Sequence, residues 1–355
     1  MSRADRVAAR LAERELDLLL VTDTVNVRYL TGFTGSNGLA VVGAVTRRFL
    51  TDFRYVERAK AEVDGFDLEP APQDLRAALG KGWPPGALRI GFEDQHVSVR
   101  RHGELRDTLP GRIELVPAGG LVEAERALKE PSELETIRAA AALVDEIYAW
   151  LGEWGLVGRT EREVALALEQ EMRMQGAEAP SFASIVAAAE NGALPHATPR
   201  DVAIAADTLV TLDIGARVDG YCSDCTRTWA TGRLDDDLAA LYDTVLRAQE
   251  AALVAVRPGP EGREIDAMAR DIIAAAGHGK HFGHGLGHGV GLDVHEAPRL
   301  SRTAEGRLEA GHVVTVEPGI YLPGRGGARI EDLVVVTADG HEVLSATAKA
   351  LRVVA

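Results

Sequence analysis

The first third of the chain alternates between helical spacing and short apolar runs. Val7 and Leu11, four residues apart, predict an amphipathic helix, and the apolar run at residues 18–21 predicts a buried strand. Two more strands and a helix start follow, at residues 38–42, 49–51 and 52–55. This alternation is typical of an α/β unit of ordinary size.

A domain boundary is predicted where the apolar pattern is interrupted. Gly119 and Gly120 end the first unit, and Pro131 precedes a new helical pattern. We expect an N-terminal α/β domain at residues 1–125 and a second domain at residues 126–355. The second domain is expected to open with a capping box formed by Ser132 and Glu135, and Thr160 with Glu163 is expected to cap the next helix.

The second domain repeats one pattern. Two helices precede two strand-like runs, 209–217 and 221–230, which Asp219-Gly220 joins as a predicted two-residue hairpin turn. Two helices and three extended segments follow, at residues 235–256, 262–276, 281–295, 312–321 and 328–337. Helices followed by a hairpin, twice, predict a duplicated half-domain of the α+β class.

Composition narrows the function classes. The length of 355 residues favours two domains, and 46% hydrophobic residues favour a folded core. A net charge of −15 argues against nucleic acid or an anionic membrane as partner, because both require a basic face. Two cysteines exclude a disulfide framework. The sequence lacks a recognisable signal peptide and a 20-residue apolar run, so a cytoplasmic location is expected.

Four carboxylates and one histidine stand in strand-like segments of the second domain. They are Asp213, Asp224, His288, Glu317 and Glu331. A two-residue turn at 219–220 places Asp213 opposite Thr226, so Asp224 is its diagonal neighbour on the same face, about 7–8 Å away at Cα. The alternative is a pair of exposed strand carboxylates, but an unpartnered carboxylate in the apolar run around Asp213 would be costly. The set predicts a site for two divalent metals.

Neighbouring residues leave alternatives open. Arg329 and Glu331 share a strand face, either steadying the site or forming a structural ion pair. Glycines at alternate positions from 283 to 291 predict extended backbone that another segment approaches closely. The stretch lacks a dinucleotide-binding motif and a zinc-peptidase helix motif. Cys222 and Cys225 are more simply two partly buried thiols than a redox or zinc pair.

Several strings resemble one known family, the pita-bread metallopeptidases, which include aminopeptidase P, prolidase and methionine aminopeptidase. The strings are LDIGARVDGYCSDCTRT, HGLGHGVGLDVHEAP, VTVEPGIY and GGARIEDLVVVT. RYLTGFTGSNGLAVV and LTDFRYVERA resemble the N-terminal domain of the proline-specific members. The resemblance therefore implies a C-terminal pita-bread fold preceded by an α/β domain of the creatinase/prolidase type.

The resemblance also implies roles for single residues. Asp213 would bind one metal, His288 and Glu317 the other, and Asp224 and Glu331 would bridge them. Glu317 would also transfer a proton. The residues implied to contact substrate or to form a hydrogen-bonded relay around the site are His196, His284, His295, Tyr321 and Arg329.

The activity implied is hydrolysis of the Xaa-Pro bond of a proline-containing peptide by a metal-bridging hydroxide. The donor set favours manganese, with cobalt or zinc as alternatives. A homodimer is expected by resemblance alone. Two alternatives are a non-catalytic binding member of the fold and a creatinase-like metal-independent hydrolase. Both are disfavoured because every ligand position is retained. The motifs do not separate an aminopeptidase from a dipeptidase.

Overall fold

The computed structural model describes residues 1–354 in two compact units, Met1–Arg126 and a second unit from Ala127 onward. The first unit contains six strands: β1 (Leu18–Val21), β2 (Gly38–Gly43), β3 (Arg47–Asp52), β4 (Asp67–Ala71), β5 (Leu88–Phe92) and β6 (Ile113–Pro117). They form one mixed sheet in the order β4-β3-β2-β1-β5-β6. The predicted α/β unit is thus confirmed.

Three helices of the first unit lie between its strands along the chain, one precedes the first strand and one follows the last. They are α1 (Arg3–Leu11), α2 (Thr24–Thr31), α3 (Val56–Glu62), α4 (Val99–Thr108) and α5 (Leu121–Ala127). Val7 and Leu11 are buried on α1, as predicted. The helix start expected at residue 52 is wrong, because Asp52 ends β3 and α3 begins at Val56. The buried Asp52 carboxylate accepts hydrogen bonds from Arg54, which holds the intervening turn.

The second unit begins with α6 (Pro131–Trp154) and α7 (Glu161–Met174). Thr160 and Glu163 form the predicted capping box at α7. The box predicted for Ser132 and Glu135 is wrong, since the Glu133 carboxylate accepts the Glu130 N–H at 2.8 Å instead. Proline is favoured in the first helical position, where its missing N–H has no partner to lose, and this sets the helix start at Pro131.

The remaining elements of the second unit are β7 (Ala179–Pro180), β8 (Ile185–Ala188), β9 (Leu209–Ile214), β10 (Ala216–Val218), β11 (Tyr221–Cys222), β12 (Cys225–Ala230), α8 (Asp236–Ala255), α9 (Gly262–Ala275), β13 (Gly287–Gly289), β14 (Glu296–Leu300), β15 (Val313–Val316), β16 (Gly319–Leu322), β17 (Gly326–Arg329), β18 (Asp332–Val336) and β19 (His341–Val343). Their main sheets have the orders β12-β9-β8 and β14-β13-β15-β18-β19. Smaller sheets are β11-β10-β7 and β16-β17.

The duplicated pattern appears in the packing. Apolar side chains of α6 and α7, such as Leu151, form one buried cluster with those of β8, β9 and β12, such as Leu212. Side chains of α8 and α9, such as Val245, form a second buried cluster with β15 to β18, including Val334. Each helix pair therefore buries its apolar face against its own strands, as the repeated sequence pattern predicts.

The three extended segments are more broken than predicted. Of residues 281–295, only Gly287–Gly289 is a strand, β13. The close approach expected at its glycines is confirmed, because a Cβ on Gly287 would lie 2.0 Å from the Thr315 carbonyl oxygen. Residues 312–321 and 328–337 each divide into two strands of different sheets, and the breaks fall at Glu317 and Glu331.

The longest helix, α6, has 24 residues but carries several charged side chains. Within residues 1–354, no helix is both long and apolar enough to span a bilayer.

Candidate metal centre

The first hairpin brings Asp213 and Asp224 to one place. Asp219 and Gly220 both have positive φ, 42° and 79°, as a two-residue hairpin turn requires. The resulting register pairs Asp213 with Thr226, as predicted. Asp224 lies one residue before β12, and the two carboxylate side chains are buried. The sequence signal at this turn therefore fixes half of the site.

Glu331 joins the second half of the site to the first. It lies between β17 and β18, and its backbone N–H donates to the Thr226 carbonyl at 3.1 Å. The Thr226 hydroxyl donates to Glu331 Oε2 at 2.7 Å. One ligand oxygen from each of Asp213, Asp224 and Glu331 lies within 4.8 Å of the others. Thr226 is thus the contact that brings the third carboxylate to the pair.

Glu317 and His288 complete the cluster from the other side. His288 Nε2 lies 3.3 Å from Glu317 Oε1 and 3.7 Å from Asp224 Oδ2. His288 Nδ1 is 3.0 Å from the Gly289 carbonyl, so it donates there and Nε2 faces the acidic cluster. The Thr315 hydroxyl donates to Glu317 Oε1 at 3.2 Å. All five predicted ligands therefore converge.

Two buried oxygens in this cluster lack a hydrogen-bond partner, Asp213 Oδ1 and Glu331 Oε1. Leaving a buried acceptor unsatisfied costs roughly 1–3 kcal/mol, so such atoms require an explanation. Burial, followed by the charges of neighbouring carboxylates, raises the pKa of Asp224 and of Glu331 well above the usual range. A divalent cation would satisfy the oxygens and offset the charge. The donor set of carboxylates and one imidazole fits manganese or a similar ion.

Glu317 differs electrostatically from the other carboxylates. Burial disfavours its charged form, but the hydrogen bond with His288 and the nearby positive charges outweigh burial and lower its pKa to about 2. Glu317 is therefore ionised at neutral pH. An ionised carboxylate is the form that binds a divalent cation, so the lowered pKa supports Glu317 as a metal ligand. The proton-transfer role of Glu317 is implied by the resemblance alone.

Arg329 lies at the centre of a hydrogen-bonded chain. Its Nη2 donates to Asp213 Oδ2 at 2.6 Å, and its Nη1 donates to the Tyr321 hydroxyl at 2.9 Å. The Tyr321 hydroxyl in turn lies 2.9 Å from His284 Nε2. Because His284 Nδ1 donates to the Gly285 carbonyl, Nε2 accepts the Tyr321 proton. The Arg329–Glu331 ion pair considered from the sequence is wrong, since the partner of Arg329 is Asp213.

The predicted histidines line one cavity of about 560 Å³ that also contains the acidic cluster. His295 packs edge-on against His288, with ring centroids 4.3 Å apart. Burial, together with the charges of His288 and Arg299, lowers the pKa of His295 to about 4, so its imidazole is neutral at pH 7. His196 lines the same cavity and follows Pro195, whose carbonyl accepts a hydrogen bond from Arg329.

Two residues at the site were missed by sequence reasoning. Thr226 was identified only as the partner of Asp213, although its hydroxyl also accepts the Arg329 Nε–H at 2.9 Å. Arg299 lines the cavity with an exposed side chain, and it pairs with His288 across β13 and β14. Arg299 could not be identified from the sequence because it reaches the site through the pairing of β13 with β14. The register of that pairing shifts between His288 and Gly289.

Cys222 and Cys225 are both buried and free. Burial raises the pKa of the Cys222 thiol to about 11, and burial also raises the pKa of Cys225. Low-pKa reactive thiols occur in electropositive, partly exposed surroundings, which these positions lack. Both thiols are more deeply buried than the partly buried thiols expected from the sequence.

Known protein families match both domains of the chain. The model of the Creatinase/Prolidase N-terminal domain matches residues 3–128, and that of metallopeptidase family M24 matches residues 135–338. An Xaa-Pro dipeptidase of Pyrococcus furiosus is 42% identical over 358 residues, which cover 98% of this chain and 99% of that protein.

Solved structures match over the whole chain. An Xaa-Pro dipeptidase from Bacillus anthracis has a TM-score of 0.94 and 36% identity, covering 99% of both chains. An X-Pro aminopeptidase from Thermotoga maritima MSB8 has a TM-score of 0.90 and 33% identity, covering 100% of both chains. These matches confirm the predicted pita-bread fold with an N-terminal α/β domain.

Proposed function

The chain belongs to metallopeptidase family M24, and we propose that it hydrolyses the Xaa-Pro bond of dipeptides with two divalent metal ions. The observation that carries the proposal is the set of five converging donors, four of them buried, with two unpartnered oxygens. The same cavity also contains the Arg299 guanidinium. The Xaa-Pro dipeptidases among its relatives support the substrate class.

Five side chains would hold the metals: Asp213, Asp224, His288, Glu317 and Glu331. When bound, a pair of divalent ions would supply a water of lowered pKa and polarise the scissile carbonyl. Manganese is the proposed metal, and cobalt or zinc would be substitutes. Arg329 limits the excess negative charge at one end of the set, because its guanidinium donates to Asp213.

The chain's own residues would carry the proton steps. The ionised Glu317 carboxylate accepts the proton of the attacking water and returns it to the proline nitrogen, which must be protonated to leave. The neutral His295 imidazole donates an N–H to the developing oxyanion. His284 and Arg329 hold the Tyr321 hydroxyl in a fixed orientation through hydrogen bonds.

Arg299 supports the choice of dipeptides over longer peptides. Its side chain is exposed, lines the cavity and forms no ion pair among residues 1–354. A guanidinium fork binds a carboxylate with two parallel hydrogen bonds. The free carboxylate of an Xaa-Pro dipeptide follows directly after the proline ring. In a tripeptide it is displaced by roughly 3.3–3.6 Å, one extended residue.

The test compares Ala-Pro, Ala-Pro-Ala and the amide Ala-Pro-NH₂ with manganese present and with a chelator. We expect hydrolysis of Ala-Pro, at least tenfold weaker hydrolysis of the other two substrates, and no activity in chelator. Arg299→Met should raise KM for Ala-Pro about tenfold, the loss of roughly one charge-assisted hydrogen bond, and leave the amide unchanged. Arg302→Met, at an exposed arginine outside the cavity lining, is the matched control.

Two results would contradict the proposal. Full activity after exhaustive metal removal would exclude the two-metal mechanism. Equal turnover of Ala-Pro and Ala-Pro-Ala, unaffected by Arg299→Met, would instead indicate an aminopeptidase that accepts peptides longer than two residues.

A further inference from the structure

We infer that the buried ion pair between Lys129 and Glu296 positions the His295 imidazole for catalysis, an inference that rests on the proposed peptidase function. Lys129 Nζ lies 3.2 Å from Glu296 Oε2. The two side chains are 0% and 6% exposed. A buried ion pair contributes little to net stability because both charges lose their hydration, so net stability is not what we assign to this pair.

The Glu296 carboxylate fills the inside of a tight loop formed by residues 291–296. Glu296 Oε1 accepts the Asp293 N–H at 3.0 Å, and the Gly291 N–H donates to the Asp293 carbonyl at 3.0 Å. A Cβ on Gly291 would lie 2.6 Å from Glu296 Oε2, so a larger residue at this position would displace the carboxylate. The loop is therefore wound around this one side chain.

Both ends of the ion pair are anchored in the second unit. The Lys129 N–H donates to the carbonyl of Gly311 at 3.0 Å, and Gly311 lies two residues before β15. The Gly291 carbonyl accepts the Cys222 N–H at 2.8 Å, two residues before Asp224. The pair thus ties the loop to the strand that leads to Glu317 and to the hairpin that carries Asp224.

His295 is the residue directly before Glu296. Since successive side chains of an extended segment point in opposite directions, a Glu296 side chain held on the buried side directs His295 to the other side. That side is the cavity, where His295 contacts the His288 ring. Lys129 and Glu296 do not line the cavity, so they are positioning residues that act through His295.

The test removes both charges of the Lys129–Glu296 ion pair in one variant. Changing one partner would leave a buried charge unpaired and endanger folding, so the variant is the double substitution Lys129→Met with Glu296→Gln. We expect kcat for Ala-Pro to fall 10–100-fold, with manganese affinity within threefold of the parent. In a His295→Ala background the same double substitution should lower kcat less than twofold, because the residue it positions is gone.

A second measurement does not depend on activity. The ring signal of His295, assigned by its loss in His295→Ala, should shift or broaden in the NMR spectrum of the double variant. The signal of His341, which is bonded to the Val256 carbonyl, should stay in place. Neutralising another ion pair, Arg48→Met with Glu69→Gln in the first unit, controls for general destabilisation and should leave both signals unchanged.

Equal losses of kcat in the parent and His295→Ala backgrounds would overturn the inference, as would a lower Tm with unchanged kcat and unchanged His295 signal. If the parent fails to cleave any Xaa-Pro substrate, the proposed function fails. In that case the NMR comparison alone still decides whether the pair positions His295.

Discussion

Buried glutamates in the two units differ in how completely their carboxylate oxygens are hydrogen-bonded. Glu93, in the first unit, accepts hydrogen bonds from the Thr22 N–H and hydroxyl and the Asp23 N–H at Oε2, and from the Asn26 amide at Oε1. Glu331, in the second unit, is as deeply buried, but its Oε1 has no partner. Burial alone is thus common to both, and unsatisfied acceptors distinguish the functional candidate from the structural residue.

The surroundings of the two glutamates explain this difference. Burial raises the pKa of Glu93, and the surrounding N–H and O–H donors oppose that rise. Burial also raises the pKa of Glu331, and the charges of Glu317 and Asp213 raise it further. The first unit therefore stabilises a lone buried carboxylate with neutral dipoles. The second unit collects several carboxylates, an arrangement that requires a cation to be stable when ionised.

The largest effect is expected from Glu331→Gln, which replaces one carboxylate of the proposed ligand set by an amide. Even residues that only support a metal ligand are worth about 10–100-fold in affinity or activity, so kcat/KM for Ala-Pro should fall by more than about 100-fold. Manganese binding, measured by calorimetry, should weaken in parallel. The metal-free variant should be at least as stable as the parent, because an unsatisfied buried carboxylate has been removed.

If Glu331→Gln bound manganese as tightly as the parent, Glu331 would not be a metal ligand. If the metal-free variant were much less stable than the parent, Glu331 would have a structural role like that of Glu93.

A second, smaller effect concerns the pH dependence of stability without metal. The folded-state pKa of Asp224 is raised by burial and by Glu331, so the protonated form is favoured by folding. That contribution is complete below the unfolded pKa, about 3.9, and is lost as pH rises through the higher folded pKa. Each proton lost this way lowers stability by up to about 1.4 kcal/mol per pH unit.

The measurement is Tm in chelator between pH 5 and 8 for the parent and for Asp224→Asn. The stability of the variant relative to the parent should increase with pH. Saturating manganese should reverse the order, since the ion binds the ionised parent site and stabilises the fold that binds it. Parallel Tm curves in chelator would show that Asp224 carries no raised pKa.

The smallest effect is expected from Glu93→Gln. The glutamine oxygen can replace Oε2, but the amide nitrogen then faces the Asn26 amide nitrogen, which donates to Glu93 Oε1 in the parent. Loss of that hydrogen bond should lower the free energy of unfolding by about 1–2 kcal/mol. The variant should keep parental kcat/KM and manganese affinity. A change in either would mean that the two buried glutamates do not differ in the way argued above.

The part of the site that could be predicted from the sequence is the part that a turn motif determines. Asp219-Gly220 determined the register that sets Asp213 opposite Thr226, and from it the neighbouring position of Asp224. Of the ligand set, Asp213 was recognisable because it interrupts an apolar run, whereas the metal-binding roles of the full set were implied by the resemblance. Metal binding and substrate roles for these residues remain predictions that the experiments above address.

Sequence reasoning failed where the backbone breaks between sheets. Arg329 and Glu331 were expected on one strand face, but β17 ends at Arg329 and β18 begins at Asp332. The turn between these strands frees Arg329 to reach Asp213 instead. Arg299 and the Lys129–Glu296 pair depend on register shifts and on contacts far apart in the chain, which periodicity cannot reveal.

The hydrogen bond from Thr226 to Glu331 joins residues 105 positions apart. During synthesis, which proceeds from the N-terminus, Asp213 and Asp224 leave the ribosome well before Glu331 is added. A nascent chain therefore carries an incomplete ligand set for as long as about a hundred residues take to translate, roughly 5–20 s at common elongation rates. The complete set of proposed ligands therefore forms late, only after the last strands have been made and paired.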